Sequence, residues 1–149
     1  MNRQNRIIVS LILIAIWMLV IFLMSNEIAG TSSARSDEIV RTIQSIGVNA
    51  PADLLTFLVR KAAHISAYFV LGVLLFNSLK EYGLGVKKMI FLSIAIAMLY
   101  ACTDELHQMF VPGRSGEVRD VIIDTAGAAV GVVAYAALSS RFYKKSEIV

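Results

Sequence analysis

The sequence predicts an all-α integral membrane protein, a four-helix transmembrane bundle with a short amphipathic surface helix between helices one and two. The first observation behind this prediction is composition. The 149 residues are 57% hydrophobic and 17% charged, whereas soluble domains are about 45–50% apolar and about 25% charged. A soluble domain of this length has no interior large enough to hide that excess. The composition therefore argues against a soluble enzyme, a disordered chain and a collagen-like chain.

Four stretches with few charges are the second observation. They predict spans at about residues 7–26, 60–79, 87–108 and 120–140. The first stretch has the length needed to cross a bilayer core and exceeds the apolar region of a signal peptide, so we expect an uncleaved helix. The charge-free parts of the third and fourth stretches, residues 89–103 and 125–140, are short for a span. Their helices must therefore take polar residues into one membrane interface.

The distribution of basic residues predicts the orientation of these spans. Basic residues exceed acidic ones in three segments, which are the N-terminal tail, the loop between spans two and three, and the C-terminal tail. An excess of Lys and Arg marks the cytoplasmic side, so both termini are predicted to be cytoplasmic. Membrane orientation thus accounts for the basic residues behind the net charge of +3, so no nucleic-acid partner is expected.

Residues 31–46 predict the amphipathic surface helix. Ile39, Ile43 and Ile46 recur at i, i+4 and i+7, which is the spacing of one helix face. Thr31 to Ser33 offer an N-cap, and Gly47 offers a stop. The chain contains no internal repeat or low-complexity run, so residues 1–149 are expected to form a single domain.

Three polar clusters are predicted at the same end of the bundle. The first stands at the start of the second span and contains Arg60, Lys61, His64 and Tyr68. Lys61, His64 and Tyr68 share one helix face, at i, i+3 and i+7. The two basic residues could serve a site, or they could extend to the membrane interface as long cationic side chains commonly do.

The second polar cluster ends the third span. It contains Asp104, Glu105, His107 and Gln108. Asp104, His107 and Gln108 are predicted to share a face, from which Glu105 is rotated by about 100°. A Pro-Gly turn follows at residues 112–113, which should stop the helix and direct Arg114 back over the membrane surface.

The third polar cluster begins the fourth span with Arg119, Asp120 and Asp124. Gly127 and Gly131 continue nearly the same face, and a Gly-x-x-x-Gly pattern packs against another helix. The aspartates are therefore expected to point into the bundle. Their obvious cationic partners are Arg60, Lys61, His64, Arg114 and Arg119.

Taken together, the three clusters resemble the motifs of a known family. They read R-K-x-x-H-x-x-x-Y from Arg60, D-E-x-H-Q-x-F-V-P-G-R from Asp104, and R-D-x-x-x-D-x-x-G-x-x-x-G from Arg119. Their order and spacing resemble the VanZ-like family of small bacterial membrane proteins over residues 7–140, although many members have Asn where this chain has Asp124. The resemblance implies a multi-pass protein of the bacterial cytoplasmic membrane. The family namesake is associated with low-level resistance to teicoplanin, and the resemblance implies no defined reaction.

Three functional hypotheses follow. The leading one is a protein that binds or modulates a membrane lipid or lipid-linked cell-wall precursor at the outer leaflet, either as a monomer or as a homo-oligomer. The alternatives are an intramembrane hydrolase or transferase acting on a lipid-linked phosphate, or a small lipid transporter. In an enzyme, the catalytic candidates are Asp104, Glu105, His107 and His64. In a binding protein, the site residues are Arg60, Lys61, His64, Tyr68, Asp104, Glu105, His107, Gln108, Arg114, Arg119, Asp120 and Asp124.

No metal and no other cofactor is expected from the sequence. The clustered histidines and carboxylates could supply nitrogen and oxygen ligands. However, the chain contains no H-E-x-x-H or H-x-x-x-H pair, and its one cysteine, Cys102, excludes a multi-cysteine zinc site.

Overall fold

A computed structural model describes the backbone of residues 1–26 and 29–146 and the side chains of residues 1–26 and 36–139. Its α-helices within those ranges are α1 (Arg3–Ser25), α2 (Ala29–Ser45), α3 (Ala52–Leu79), α4 (Val86–Gln108) and α5 (Val118–Ser146). A short 3-10 helix, Lys80–Tyr82, follows α3. Helices α1, α3, α4 and α5 are long and apolar enough to cross a membrane. The predicted all-α architecture with four spans is confirmed.

The membrane helices are longer than the charge-free stretches of the sequence. Helix α4 continues past the end of its charge-free stretch through Asp104, Glu105 and Gln108, all three of which are buried. Burial inside the bundle removes these polar groups from lipid, so the helix can extend through them without exposing them to the hydrocarbon. Polar residues are thus part of the span rather than a boundary to it.

Close contact between α3 and α5 depends on small residues. A Cβ atom on Gly127 would lie 2.7 Å from the carbonyl oxygen of Ile65, and one on Gly131 would overlap the carbonyl oxygen of Phe69. In the opposite direction, a Cβ atom on Gly72 would overlap the backbone of Ala128. The two helices run parallel, backbone against backbone, as the Gly-x-x-x-Gly pattern predicted.

Helix α1 packs on the bundle through one face and leaves the other exposed. Ile14 and Ile21 are buried in the core, and the Trp17 indole donates a hydrogen bond to the carbonyl oxygen of Ala67 at 2.9 Å. Ile16 and Leu19 are among the many apolar side chains of this helix that are exposed. In a membrane protein, such a surface faces lipid acyl chains.

Helix α2 differs from its prediction at its start and in its packed face. It begins at Ala29, before the predicted cap at residues 31–33, whose side chains lie outside the described residues. Ser36 and Val40 are buried, whereas Ile46 lies beyond the helix and is exposed. The packed face is thus centred on Val40, because α2 lies along α3 and turns its smaller residues toward it. Gly47, with a φ of 98°, follows the helix end as predicted.

The two ends of the bundle are distinct. At one end, Arg3 donates to the carbonyl oxygen of Glu81 and Arg6 pairs with its carboxylate. This contact places the N-terminal tail beside the turn between α3 and α4, which is the basic end of the sequence prediction. The three polar clusters lie at the opposite end, which we call the polar end.

Candidate functional site

An ion pair and a histidine–carboxylate contact join α3 to α5 at the polar end. Lys61 Nζ contacts Asp120 Oδ1, and three residues further along α3, His64 Nδ1 lies 3.4 Å from Asp124 Oδ2. Because the two helices run parallel, residues three apart on α3 face residues four apart on α5. The sequence-based prediction that the aspartates face cations inside the bundle is confirmed for these two partners.

Asp104, on α4, is a further buried acid at the polar end. Its Oδ2 atom accepts a hydrogen bond from the Ser25 hydroxyl at 2.8 Å and another from the Gln108 amide at 3.3 Å. Its side chain is held by residues of α1 and of its own helix. Through Ser25, all four membrane-spanning helices contribute a polar group to the polar end.

Several polar atoms in this region have no hydrogen-bond partner among the described residues. They are Tyr68 Oη, Asp104 Oδ1 and Asp124 Oδ1. The residues that carry them have relative exposures of 0%, 3% and 0%, respectively. A buried polar group without a partner costs free energy, so these atoms mark a place where something else can bind. One ligand atom from each of His64, Asp104 and Asp124 could hold a metal ion, since the three atoms lie within 4.8 Å of one another.

Glu105 anchors the loop between α4 and α5. Its Oε2 atom accepts a hydrogen bond from the backbone N–H of Glu117 at 2.8 Å, and its Oε1 atom accepts one from Gln108 at 3.4 Å. Gly113 turns the loop with a φ of 78°. Arg114 consequently reaches back to donate to Gln108 Oε1 at 3.2 Å. The predicted turn is confirmed, and Arg114 points back toward the end of α4.

Two cavities meet at the polar end. The first, with a volume of about 110 Å³, is lined mainly by apolar side chains of α1, α2 and α3, including Met24, Ile39 and Ala63. The second, of about 530 Å³, is mainly polar and lies between α3 and the loop that follows α4. Both cavities are lined by Arg60, His64 and Arg114. We call them the apolar cavity and the polar cavity.

The polar cavity contains most of the remaining predicted residues. Lys61, Gln108, Arg119 and Asp120 line it. Arg119 lies at its exposed rim, 2.9 Å from Glu117, and both Arg119 and Lys61 stack over the Phe57 ring. The cavity therefore contains both cationic and acidic groups.

His107 is placed apart from the other predicted residues. It turns toward α1, where its Nε2 atom lies 3.3 Å from Asn26 Oδ1 and its ring packs 4.5 Å from the ring of Phe22. It lines neither the apolar nor the polar cavity. The predicted shared face with Asp104 is correct along the helix, but the two side chains point to different neighbours.

Ser25 and Phe57 are site residues that the sequence prediction missed. Ser25 ends α1 at the same depth as Asp104, and a buried serine at the polar end of a span was a usable signal. Phe57 stands one helical turn before Lys61, so the i, i+4 spacing could have indicated the contact between the ring and the cation.

The VanZ/LLP1 family model matches residues 10–139. No curated protein and no solved structure matches the chain at a significant level. The match covers most of the sequence and contains all three polar clusters, the glycine-mediated helix pair and both cavities. The chain therefore belongs to the VanZ/LLP1 family of membrane proteins.

Proposed function

We propose that this protein binds an anionic lipid or a lipid-linked cell-wall precursor at the outer leaflet of the bacterial cytoplasmic membrane. The observation that carries the proposal is the junction of an apolar cavity with a polar cavity at Arg60, His64 and Arg114. A ligand with an acyl or prenyl chain on one side and a phosphate on the other matches that division.

The basic side chains at the junction suit a phosphate. Arg60 makes no hydrogen bond or ion pair with the described residues, and Arg114 lines the same junction. Guanidinium groups bind phosphate oxygens through planar, often bidentate hydrogen bonds. Arg60 is therefore available to a ligand, and Arg114 reaches the same junction from the other side.

Two acids of the polar cavity are paired within the protein, since Asp120 contacts Lys61 and Glu117 contacts Arg119. Asp37, on α2, accepts a hydrogen bond from Thr56 at 3.2 Å, and Asp53 also lines the cavity. These acidic side chains could bind sugar or amine groups next to a phosphate held by Arg60.

The apolar cavity supplies a place for the chain of the ligand. Met24 and Ile39 line it and are 44% and 45% exposed. Its apolar wall therefore continues onto the outer surface of the helices, where acyl chains solvate a membrane protein. A lipid could extend from the bilayer into the cavity without leaving its apolar surroundings.

The orientation of the protein in the membrane is also part of this proposal. The tail with Arg3 and Arg6 and the turn with Lys80 lie at the end opposite the cavities. Basic residues favour the cytoplasmic side, which assigns the polar end to the outer leaflet and both termini to the cytoplasm. Teicoplanin carries an acyl chain and acts at that surface, so occupation of a lipid-linked target there would provide a route to resistance.

Native mass spectrometry of gently extracted protein tests the binding. We expect adducts with phosphatidylglycerol or a polyprenyl phosphate that exceed those with phosphatidylcholine. Arg60→Ala and Arg114→Ala should each reduce the anionic adduct about tenfold, which corresponds to about 1.4 kcal/mol. Arg41→Ala is the matched control, because Arg41 is exposed on α2 and lines neither cavity.

A separate variant tests the role of the apolar cavity. Ala63→Phe should fill the apolar cavity, which Ala63 lines, and should weaken long-chain lipids more than a short-chain lipid with the same head group. Equal adducts in wild type, Arg60→Ala and Arg114→Ala, or equal binding of anionic and zwitterionic lipids, would contradict the proposed site.

A further inference from the structure

A second set of polar groups lies deeper than the two arginines. It consists of His64 on α3, Asp104 on α4 and Asp124 on α5, which we call the His-Asp-Asp cluster. The three residues come from three helices, and Ser25 from α1 holds Asp104 in place. All four membrane-spanning helices therefore contribute a residue to this position.

The spacing of the His-Asp-Asp cluster fits a metal ion. One ligand atom from each residue lies within 4.8 Å of the others. Nitrogen and oxygen ligands about 2.1 Å from a first-row metal lie about 3.0–4.2 Å from each other in tetrahedral or octahedral geometry. Shifts of less than about 1 Å, within the reach of side-chain rotation, would bring the set to coordination distance.

Charge gives a second, independent argument. Asp104 and Asp124 are almost fully buried, and each has one oxygen without a hydrogen bond from the described residues. Among the described residues, the only basic side chain in contact with the pair is His64, whose Nδ1 atom lies 3.4 Å from Asp124 Oδ2. Two buried carboxylates are strongly unfavourable without compensation. A divalent cation would neutralise both carboxylates while His64 binds it as a neutral imidazole.

From the spacing and the uncompensated oxygens, we propose that the His-Asp-Asp cluster is a binding site for a divalent transition-metal ion. One imidazole and two carboxylates form a mixed nitrogen and oxygen set, in which the imidazole suits Zn²⁺ and the carboxylates also suit Mn²⁺. Asp104 Oδ1 and Asp124 Oδ1 supply oxygen ligands. The buried Tyr68 hydroxyl, one helical turn from His64, can donate a hydrogen bond to a ligand oxygen or to a bound water.

His64 also provides the route to the cluster. Its side chain is 24% exposed and lines both cavities, whereas Asp124 is fully buried. An ion can therefore reach the cluster from the polar cavity. A metal at this position would stand beside the phosphate subsite proposed above, but its binding can be measured without lipid.

Metal titration of the full-length protein in detergent, purified on a tag without histidine, tests this inference. We expect about one equivalent of Mn²⁺ or Zn²⁺ per chain by elemental analysis, with thermal stabilisation on binding. Asp124→Asn and His64→Gln should weaken binding at least about 100-fold, the upper end of the loss caused by outer-shell changes alone. Glu81→Gln is the matched control, because this carboxylate lies at the opposite end.

A spectroscopic measurement on the wild-type protein covers the case in which a variant fails to fold. Titration with Co²⁺ should give visible absorption bands of a site with imidazole and carboxylate ligands, and Zn²⁺ should abolish them by competition. A wild-type protein that binds neither Mn²⁺, Zn²⁺ nor Co²⁺ stoichiometrically would overturn the inference. So would an Asp124→Asn variant that binds as tightly as the wild type.

Discussion

The two ends of the helix bundle use polar residues differently. At the basic end, polar side chains contact each other at short distances: Arg6 approaches both carboxylate oxygens of Glu81 at 3.0 Å, and the Tyr135 hydroxyl donates to Asn77 at 2.8 Å. At the polar end, two buried carboxylates and a buried tyrosine keep atoms without a partner among the described residues. Among the residues whose side chains are described, the buried polar atoms without a partner all lie at the polar end.

The difference indicates which end is arranged for a ligand. Buried polar groups in native proteins are nearly always hydrogen-bonded, and exceptions commonly mark a functional position or a bound ion. The same end contains both cavities and Arg60, which has no partner among the described residues. The basic end orients and closes the bundle, whereas the polar end holds the groups from which binding can be built.

The largest effect on this arrangement should come from the contact that holds α3 against α5. Gly131→Ala places a Cβ atom against the backbone of Phe69, which cannot rotate away as a side chain could. We expect a loss of about 3 kcal/mol in the free energy of unfolding, the upper end for overpacking, measured by denaturation in mixed micelles. Gly85→Ala is the control, because a Cβ atom there meets nothing within 4 Å.

A smaller effect should come from neutralising the acid of one ion pair at each end of the bundle. The two variants also compare the ends directly. Lys61 and Asp120 are only 17% and 16% exposed. Asp120→Asn therefore leaves the largely buried Lys61 without its acidic partner and should lower the free energy of unfolding by about 2 kcal/mol. Arg6 and Glu81 are 47% and 22% exposed, so Glu81→Gln should cost at most about 1 kcal/mol. The same unfolding measurement checks both variants, and equal costs would remove the distinction between the ends.

Much of the fold could be predicted from the sequence because lipid imposes a simple rule on composition. Charge-free stretches located the four spans, and the Gly-x-x-x-Gly pattern located the contact between α3 and α5. The packed face of α2 was predicted incorrectly, since an isolated amphipathic pattern does not show which residues a neighbouring helix contacts. Val40, rather than Ile46, packs against the bundle.

The candidate site was predicted in part. Motif spacing brought Lys61, Asp120, His64 and Asp124 to facing positions, because neighbouring residues on one helix face meet a partner helix together. Spacing within single helices could not show the His-Asp-Asp cluster, since its members come from three helices. The same limit explains His107, whose rotation toward Phe22 depends on where α1 lies.

The most direct test of the account is whether the polar end opens to the outer face of the membrane and contacts lipid there. In a Cys102→Ala background, Ser115→Cys labels the polar cavity and Gly85→Cys labels the basic end. A membrane-impermeant thiol reagent added to intact cells should modify Ser115→Cys but not Gly85→Cys, and anionic lipid should slow the modification in purified protein. Modification of Ser115→Cys only after the membrane is permeabilised would contradict the account.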